Sequence, residues 1–286
     1  MRPGETQMAE IDSITIDEMY TSRHLEVADR AQYRSFEPRR SSMLYELVDD
    51  LDIGPGDLVL DIGGRDASHS LALASLFGCD AVSVDPVASN NEQARAAVAE
   101  HPLGSKVSIR SGMMEEIPAA DGEFDFIFSR DMFFHVVDAD RALAEARRVL
   151  KPGGHLLLYQ TFATDRLEPL ERAELYAGLV VAPERMSPDD FQKRASAAGL
   201  VIESTDVIGS EWREAWEEDG EGLTSRQLLY AARLIRKSEQ LRAELGDADY
   251  RVELANALWG VYQMIGKLEP RIFLLRNPAV SDQDNP

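Results

Sequence analysis

Apolar positions along this chain follow two rhythms. Short continuous runs recur at Leu58-Val59-Leu60, Ala81-Val82-Ser83-Val84, Val107-Ser108-Ile109, Phe126-Ile127-Phe128 and Leu156-Leu157-Leu158. Runs of this length, bounded by glycine, proline and polar residues, predict strands buried on both faces of a sheet. Between them the spacing widens to that of helices, as in the amphipathic stretch Arg141 to Leu150. Ser187-Pro188-Asp189-Asp190 opens another helix, with a capping serine, proline at the first helical position and acids in the first turn. That helix ends at Gly199, before the strand Leu200 to Ser204, and Arg271 to Leu275 reads as the last strand. Between those two strands lie roughly 60 residues, too long for a structureless connection inside a compact domain. Leu228, Ala231, Ala232 and Ile235 share one helical face, as do Tyr250, Leu254, Val261 and Ile265. The pattern therefore predicts a flexible tail over 1–15 and N-terminal helices over 16–52, ending in Ser41 to Leu51. A core over 53–210, a helical lid over 211–267, the last core strand over 268–276 and a frayed tail over 277–286 follow.

The segment from Leu58 to Ser68 joins a buried strand to a glycine turn and a helix start. Such a unit builds a nucleotide-type site at the carboxyl end of a strand. Asp61 sits just before the turn, where it would repel a pyrophosphate and suits a ligand carrying an ammonium group. Asp85 ends the second apolar run about 20 residues beyond the turn, the spacing of a carboxylate that grips ribose hydroxyls.

This segment resembles the first motif of class I S-adenosylmethionine-dependent methyltransferases, an acid followed by three alternating glycines. Asp61 and Gly63 match, while Arg65 and Ala67 stand at the second and third glycine positions. The resemblance continues through the loop Ser111 to Pro118, the fourth strand Phe124 to Asp131, and Arg-Val-Leu-Lys-Pro-Gly-Gly before the strand His155 to Gln160. It covers about residues 56 to 160. It implies an α/β fold: a doubly wound, seven-stranded, mostly parallel sheet with an antiparallel last strand. It also implies S-adenosylmethionine as cofactor, held by Asp61, Gly63, Gly64, Asp85, Pro86, Met113, Met114, Ser129 and Arg130. Family members often carry an acid at the place of Met113, so adenine is expected to meet apolar contact there or a backbone group. The insertion before the last strand resembles that of small-molecule methyltransferases, including sarcosine/dimethylglycine and sugar O-methyltransferase types.

Composition narrows the partners. The formal charge is −21, whereas nucleic-acid binders need basic patches to neutralise phosphate. A small-molecule acceptor is expected, with no nucleic acid, no membrane and a possible homodimer. The single cysteine, Cys79, cannot form an internal disulfide and reads as a core residue. The five histidines are scattered, so no metal site is expected. The polar N-terminus and the lack of a long apolar run suggest a cytoplasmic protein.

His135, in the loop after the fourth strand, is the candidate base for a hydroxyl acceptor. A helix-start histidine that merely packs is an equal alternative. Arg130 and Asp131 are alternatives for anchoring acceptor or cofactor. Tyr20, His24 and Tyr33 are candidate contacts from the N-terminal helices, with core packing or surface exposure as the alternative role. Trp212 and Trp216 share a helix face and could hold an alkylammonium, although core packing fits such a stripe better. Competing functions are a methyltransferase-like protein that binds S-adenosylmethionine without transferring methyl, and a nicotinamide-dependent dehydrogenase. The latter lacks the glycine-rich phosphate turn.

Overall fold

A computed structural model of the protein describes residues 15–20, 25–33 and 35–279. In chain order its elements are α1 (Ile16–Tyr20), α2 (Leu25–Tyr33), α3 (Met43–Asp49), β1 (Leu58–Ile62), α4 (Ser68–Phe77), β2 (Asp80–Asp85) and α5 (Ala88–Glu100). They continue with β3 (Val107–Ser111), β4 (Phe124–Arg130), α6 (Ala139–Val149), β5 (Leu150–Ala163), α7 (Pro169–Leu179), α8 (Pro188–Ala197) and β6 (Val201–Val207). Last come α9 (Glu211–Glu218), α10 (Leu223–Arg236), α11 (Ser238–Leu245), α12 (Asp247–Met264) and β7 (Leu268–Arg276). The seven strands form one sheet in the order β3-β2-β1-β4-β5-β7-β6. Pairs among β1 to β5 are parallel, and β7 runs antiparallel to both its neighbours. The expected α/β architecture is therefore the observed one.

The continuous apolar runs follow from burial on both faces. Successive strand residues point to opposite sides. Leu60 and Ile62 pack with Leu143, Ala146 and Phe273 in one core layer, while Val59 packs with Phe126, Phe128 and Leu157 in the other. A polar residue facing either layer would need a hydrogen-bond partner, which gives Asp61, at 2% exposure, its interest. Cys79 is fully buried in the second layer, and burial pushes its thiol up to about 11, consistent with a core role.

Three helices, α1 to α3, lie within 16–52, where helices are expected, but with different bounds. Residues 35–40 are not helical, and Met43–Asp49 is shorter than the expected Ser41 to Leu51. α1 and α2 belong to a separate N-terminal unit ending at Pro38. Within it, Thr15 and Glu18 exchange hydrogen bonds that cap α1, and Tyr20 and Tyr33 are exposed. His24 lies outside the described residues, as do residues 1–14. The C-terminal tail also starts later than expected. Asn277 is buried; its side chain donates to the Leu150 carbonyl at 3.0 Å, and its backbone pairs with Gly153 and Gly154. It thus ties down the Lys151-Pro152-Gly153-Gly154 turn. Residues 280–286 lie outside the description.

The segment 211–267 is largely helical, as expected, but Leu228 and Ile235 of the expected apolar face are exposed, and α10 instead buries Ala231 and Leu234. α9 docks Trp212 flat on Tyr159, ring centres 4.6 Å apart. α12 packs Trp259 against Phe134 in the loop after β4, at 5.0 Å. Trp212 is thus a packing residue. No described helix is long and apolar enough to cross a membrane.

Candidate active site

A cleft of about 720 Å³ opens at the carboxyl ends of β1, β2 and β4, lined by Gly63 to Asp66, Asp85 to Val87 and Arg130 to Met132, together with Ser68, His69, Asn90 and His135. This is where open α/β sheets bind ligands. None of its lining residues comes from 211–267.

The β1–α4 turn forms the first wall. The backbone amides of Gly63 and Gly64 both donate to the Val84 carbonyl, at 2.8 and 3.2 Å, fixing the turn to β2. Gly63, Arg65 and Ala67 all take positive φ, at 78°, 47° and 61°. The left-handed backbone that glycine usually supplies is thus present at both positions where this chain lacks glycine. Such a conformation costs a non-glycine residue roughly 1–2 kcal/mol. Gly64 has a steric requirement instead: a Cβ there would stand 2.1 Å from Ser83 Oγ and 3.0 Å from Asp61 Oδ2.

Asp61 lies beneath that turn. Burial raises its carboxyl to about 6, although Ser70 Oγ donates to it at 2.6 Å. The buried hydroxyls of Ser83 and Ser129, on the strands flanking β1, have no partner among the described residues. A buried carboxylate with unsatisfied hydroxyls nearby is a costly arrangement without a ligand, and a cationic ammonium is the group whose charge repays it. Asp85 closes the second corner. Its two oxygens accept from the amides of Arg65, at 3.1 Å, and Val87, at 2.8 Å, with Asn90 Nδ2 at 3.1 Å. These donors hold the carboxylate at the cleft wall with lone pairs left for hydroxyl donors. Gly63, Gly64, Pro86 and Arg130 also line the cleft. Met113 is half exposed and outside the lining, and Met114 is fully buried among Ile62, Val84 and Ile117. The expected adenine contact at Met114 therefore has only its backbone to rely on.

The far wall is the loop after β4. Asp131 takes a left-handed φ of 53°, tolerable for aspartate. Its Oδ1 accepts from the Thr161 amide at 3.0 Å, and burial raises its carboxyl above the usual carboxylate range. His135 is exposed and held at 3.1 Å from the Val180 carbonyl through Nδ1. A carbonyl only accepts, so Nδ1 carries the proton and the neutral ring keeps its lone pair on Nε2. That is the tautomer a general base needs. Arg130 makes no ion pair with a carboxylate among the described residues; its guanidinium lies over the rings of Tyr159 and Trp212, at 5.7 and 5.8 Å. His69, Asp66, Val87, Asn90 and Met132 line the cleft without having been singled out from sequence. His69 stands inside the turn segment itself, but its approach to Arg130 is a tertiary contact that no local spacing displays.

Comparison with known proteins agrees with this geometry. Residues 60–158 match a family model described as a methyltransferase domain. The chain is 26% identical over 238 residues to a dimethylglycine N-methyltransferase of Parasynechococcus marenigrum, covering 82% of this chain and 80% of that protein. It is 28% identical over 150 residues to a glycine/sarcosine/dimethylglycine N-methyltransferase of Actinopolyspora halophila, covering 52% of this chain and only 26% of that longer protein. A crystal structure of a Galdieria sulphuraria protein described as a sarcosine dimethylglycine methyltransferase shares the fold, with a TM-score of 0.63, 21% identity and coverage of 82% and 84% of the two chains. Residues 60–158 thus form a methyltransferase domain of the class I S-adenosylmethionine-dependent type, to whose members the chain is similar over most of its length.

Proposed function

We propose that this chain methylates a small-molecule acceptor at a hydroxyl or amine, and that the cleft walls divide the work. The turn side holds the cofactor: Asp61 faces the ammonium, Asp85 the ribose hydroxyls, and the Gly63–Gly64 backbone the space between. Arg130 anchors a carboxylate of cofactor or acceptor. S-Adenosylmethionine, when bound, supplies an already activated methyl group. The protein then mainly positions and desolvates the acceptor. For a hydroxyl acceptor His135 Nε2 removes the proton, while an amine needs only to arrive neutral. The helical insertion acts as a lid through its docking on Phe134 and Tyr159 rather than by lining the cleft. The similarity to relatives named for dimethylglycine and sarcosine supports trying amine acceptors first. The charge of −21 favours a free metabolite over nucleic acid.

The observation that carries this reading is the pairing, across one cleft, of an anchored Asp85 with a His135 whose Nε2 has no partner among the described residues. The left-handed backbone at Arg65 and Ala67 supports cofactor binding, because the turn keeps a glycine-like path. Calorimetry with S-adenosylhomocysteine and NAD, followed by turnover with amine and hydroxyl acceptors, tests it. Binding of S-adenosylhomocysteine and not NAD is expected. NAD binding, or no nucleoside binding, would overturn the proposal.

A further inference from the structure

His69 and Tyr45 have no part in the roles assigned above, yet they form a closed hydrogen-bonded path to Arg130. Arg130 Nη1 lies 3.1 Å from His69 Nε2, and Tyr45 Oη lies 2.7 Å from His69 Nδ1. A guanidinium only donates. His69 Nε2 must therefore accept, which leaves the proton on Nδ1, donated to Tyr45 Oη. Each ring is fixed by packing: Tyr45 stacks on Phe128 with planes 3° apart, and His69 rests on the same Phe128 at 5.2 Å. Burial, with the Arg130 charge beside it, lowers His69 to about 4, so the ring is neutral throughout the physiological range. The Asp66 carboxylate opposes that shift.

The contacts around Arg130 are unusual for a half-buried cation. Two aromatic faces and one imidazole hold it, and its remaining N–H groups are left for a ligand. In a chain with a charge of −21, a cleft cation without a carboxylate partner among the described residues suits an anion from outside. Its planar fork suits a carboxylate. A free arginine side chain would lose rotamer entropy on binding one, and the His69 contact removes part of that loss beforehand.

We propose that His69, with its tautomer fixed by Tyr45, is a positioning residue that pre-orients Arg130 to receive a carboxylate. This rests on the cofactor reading above for one of two sources, the methionine carboxylate, the other being a carboxylate on the acceptor. Three variants separate the contributions. His69→Phe keeps the ring on Phe128 and removes the acceptor atom. His69→Gln keeps one acceptor for Arg130 and one donor for Tyr45. Tyr45→Phe removes only the tautomer lock.

The test is calorimetry at neutral pH with S-adenosylhomocysteine, with 5′-methylthioadenosine, which lacks the amino-carboxylate end, and with dimethylglycine added to the S-adenosylhomocysteine complex. If the cofactor is the source, His69→Phe binds S-adenosylhomocysteine about tenfold more weakly, binds methylthioadenosine unchanged, and His69→Gln restores most of the loss. If the acceptor is the source, only dimethylglycine weakens, and turnover shows a raised KM with kcat held. Weakening of methylthioadenosine together with the other probes would mean general damage to the cleft and would overturn the proposal. So would unchanged affinity in His69→Phe for every carboxylate probe that the unaltered protein binds. Binding of S-adenosylhomocysteine by the unaltered protein checks the cofactor reading separately, so the two cannot fail indistinguishably.

Discussion

The two walls of the cleft are built on different principles. The turn wall is a contiguous stretch of chain whose backbone does most of the positioning: two amides on Val84, two more on Asp85, and left-handed φ at 63, 65 and 67. The far wall is an assembly of side chains brought from distant segments. Arg130 meets His69 from α4 and Trp212 from α9, and His135 is set by the Val180 carbonyl. Backbone-built sites tolerate substitution of the residues along them, provided each can reach the required φ. Side-chain-built sites fail when one partner is lost. The turn wall can thus carry Arg65 and Ala67 in place of glycine, while the far wall should be sensitive to single truncations.

The largest expected effect follows on the far wall. With a hydroxyl acceptor, His135→Ala should lower turnover by roughly 10²–10⁴-fold, the usual contribution of a general base, with cofactor affinity retained in calorimetry. A loss under about threefold would return His135 to a packing role and favour an amine acceptor. On the turn wall, Asp85→Ala should weaken S-adenosylhomocysteine by about ten- to a hundredfold, since charge-assisted hydrogen bonds contribute roughly 1.5–3 kcal/mol. Unchanged affinity would remove Asp85 from the ribose role.

This contrast also explains what could be read from the sequence. The strands and the turn wall lie in local order, whereas the antiparallel direction of the last strand follows from the family resemblance. Leu58 to Ser68 and Asp85 were therefore legible, and so was the helical character of 211–267. Tyr45, His69 and Arg130 are separated by up to 85 positions and meet only because α3 and α4 both pack against Phe128. No periodicity encodes that. Met114 shows the opposite failure: its position in the loop matched the resemblance, but its side chain was drawn into the core with Ile117. Asn277 looked like part of a polar tail because its partners, the carbonyls of Leu150 and Lys151, are far away in sequence.

A smaller effect comes from pH on the turn wall. Burial raises Asp61 from 3.8 to about 6, so the folded protein holds this proton more tightly than the unfolded chain. The stability that Asp61 contributes is fully present below about pH 4 and is lost as pH rises through 6, by roughly 3 kcal/mol at one pKa unit per 1.36 kcal/mol. An ammonium ligand needs the ionised form, so cofactor affinity should move the other way. Between pH 7 and pH 5 the affinity for S-adenosylhomocysteine should fall by about tenfold, from one titration near 6. Calorimetry at the two values checks it, and Asp61→Asn should flatten the profile. A flat profile in the unaltered protein would mean that Asp61 does not meet the ammonium.

The smallest effect tests whether the turn wall depends on backbone alone. Arg65 is exposed, makes its key contact to Asp85 through its amide, and sits at φ 47°. Arg65→Gly would relieve about 1–2 kcal/mol of left-handed strain while giving the unfolded chain about 0.4–1 kcal/mol of extra entropy. The net is a stabilisation of about 0–1.6 kcal/mol, at about 2–4 °C of Tm per kcal/mol for a domain of this size. Cofactor affinity should stay within about twofold, since the amide that binds Asp85 is unchanged. Ala67→Gly makes the useful contrast. It relieves similar strain at φ 61°, but Ala67 is fully buried beside Leu71 and Ala94, so losing its methyl costs about 0.8 kcal/mol. Arg65→Gly should therefore be the more stable of the two variants in thermal unfolding. If Arg65→Gly instead melts lower than the unaltered protein, or loses more than about fivefold in affinity, the arginine side chain itself supports the turn, and this wall is less backbone-built than its geometry indicates.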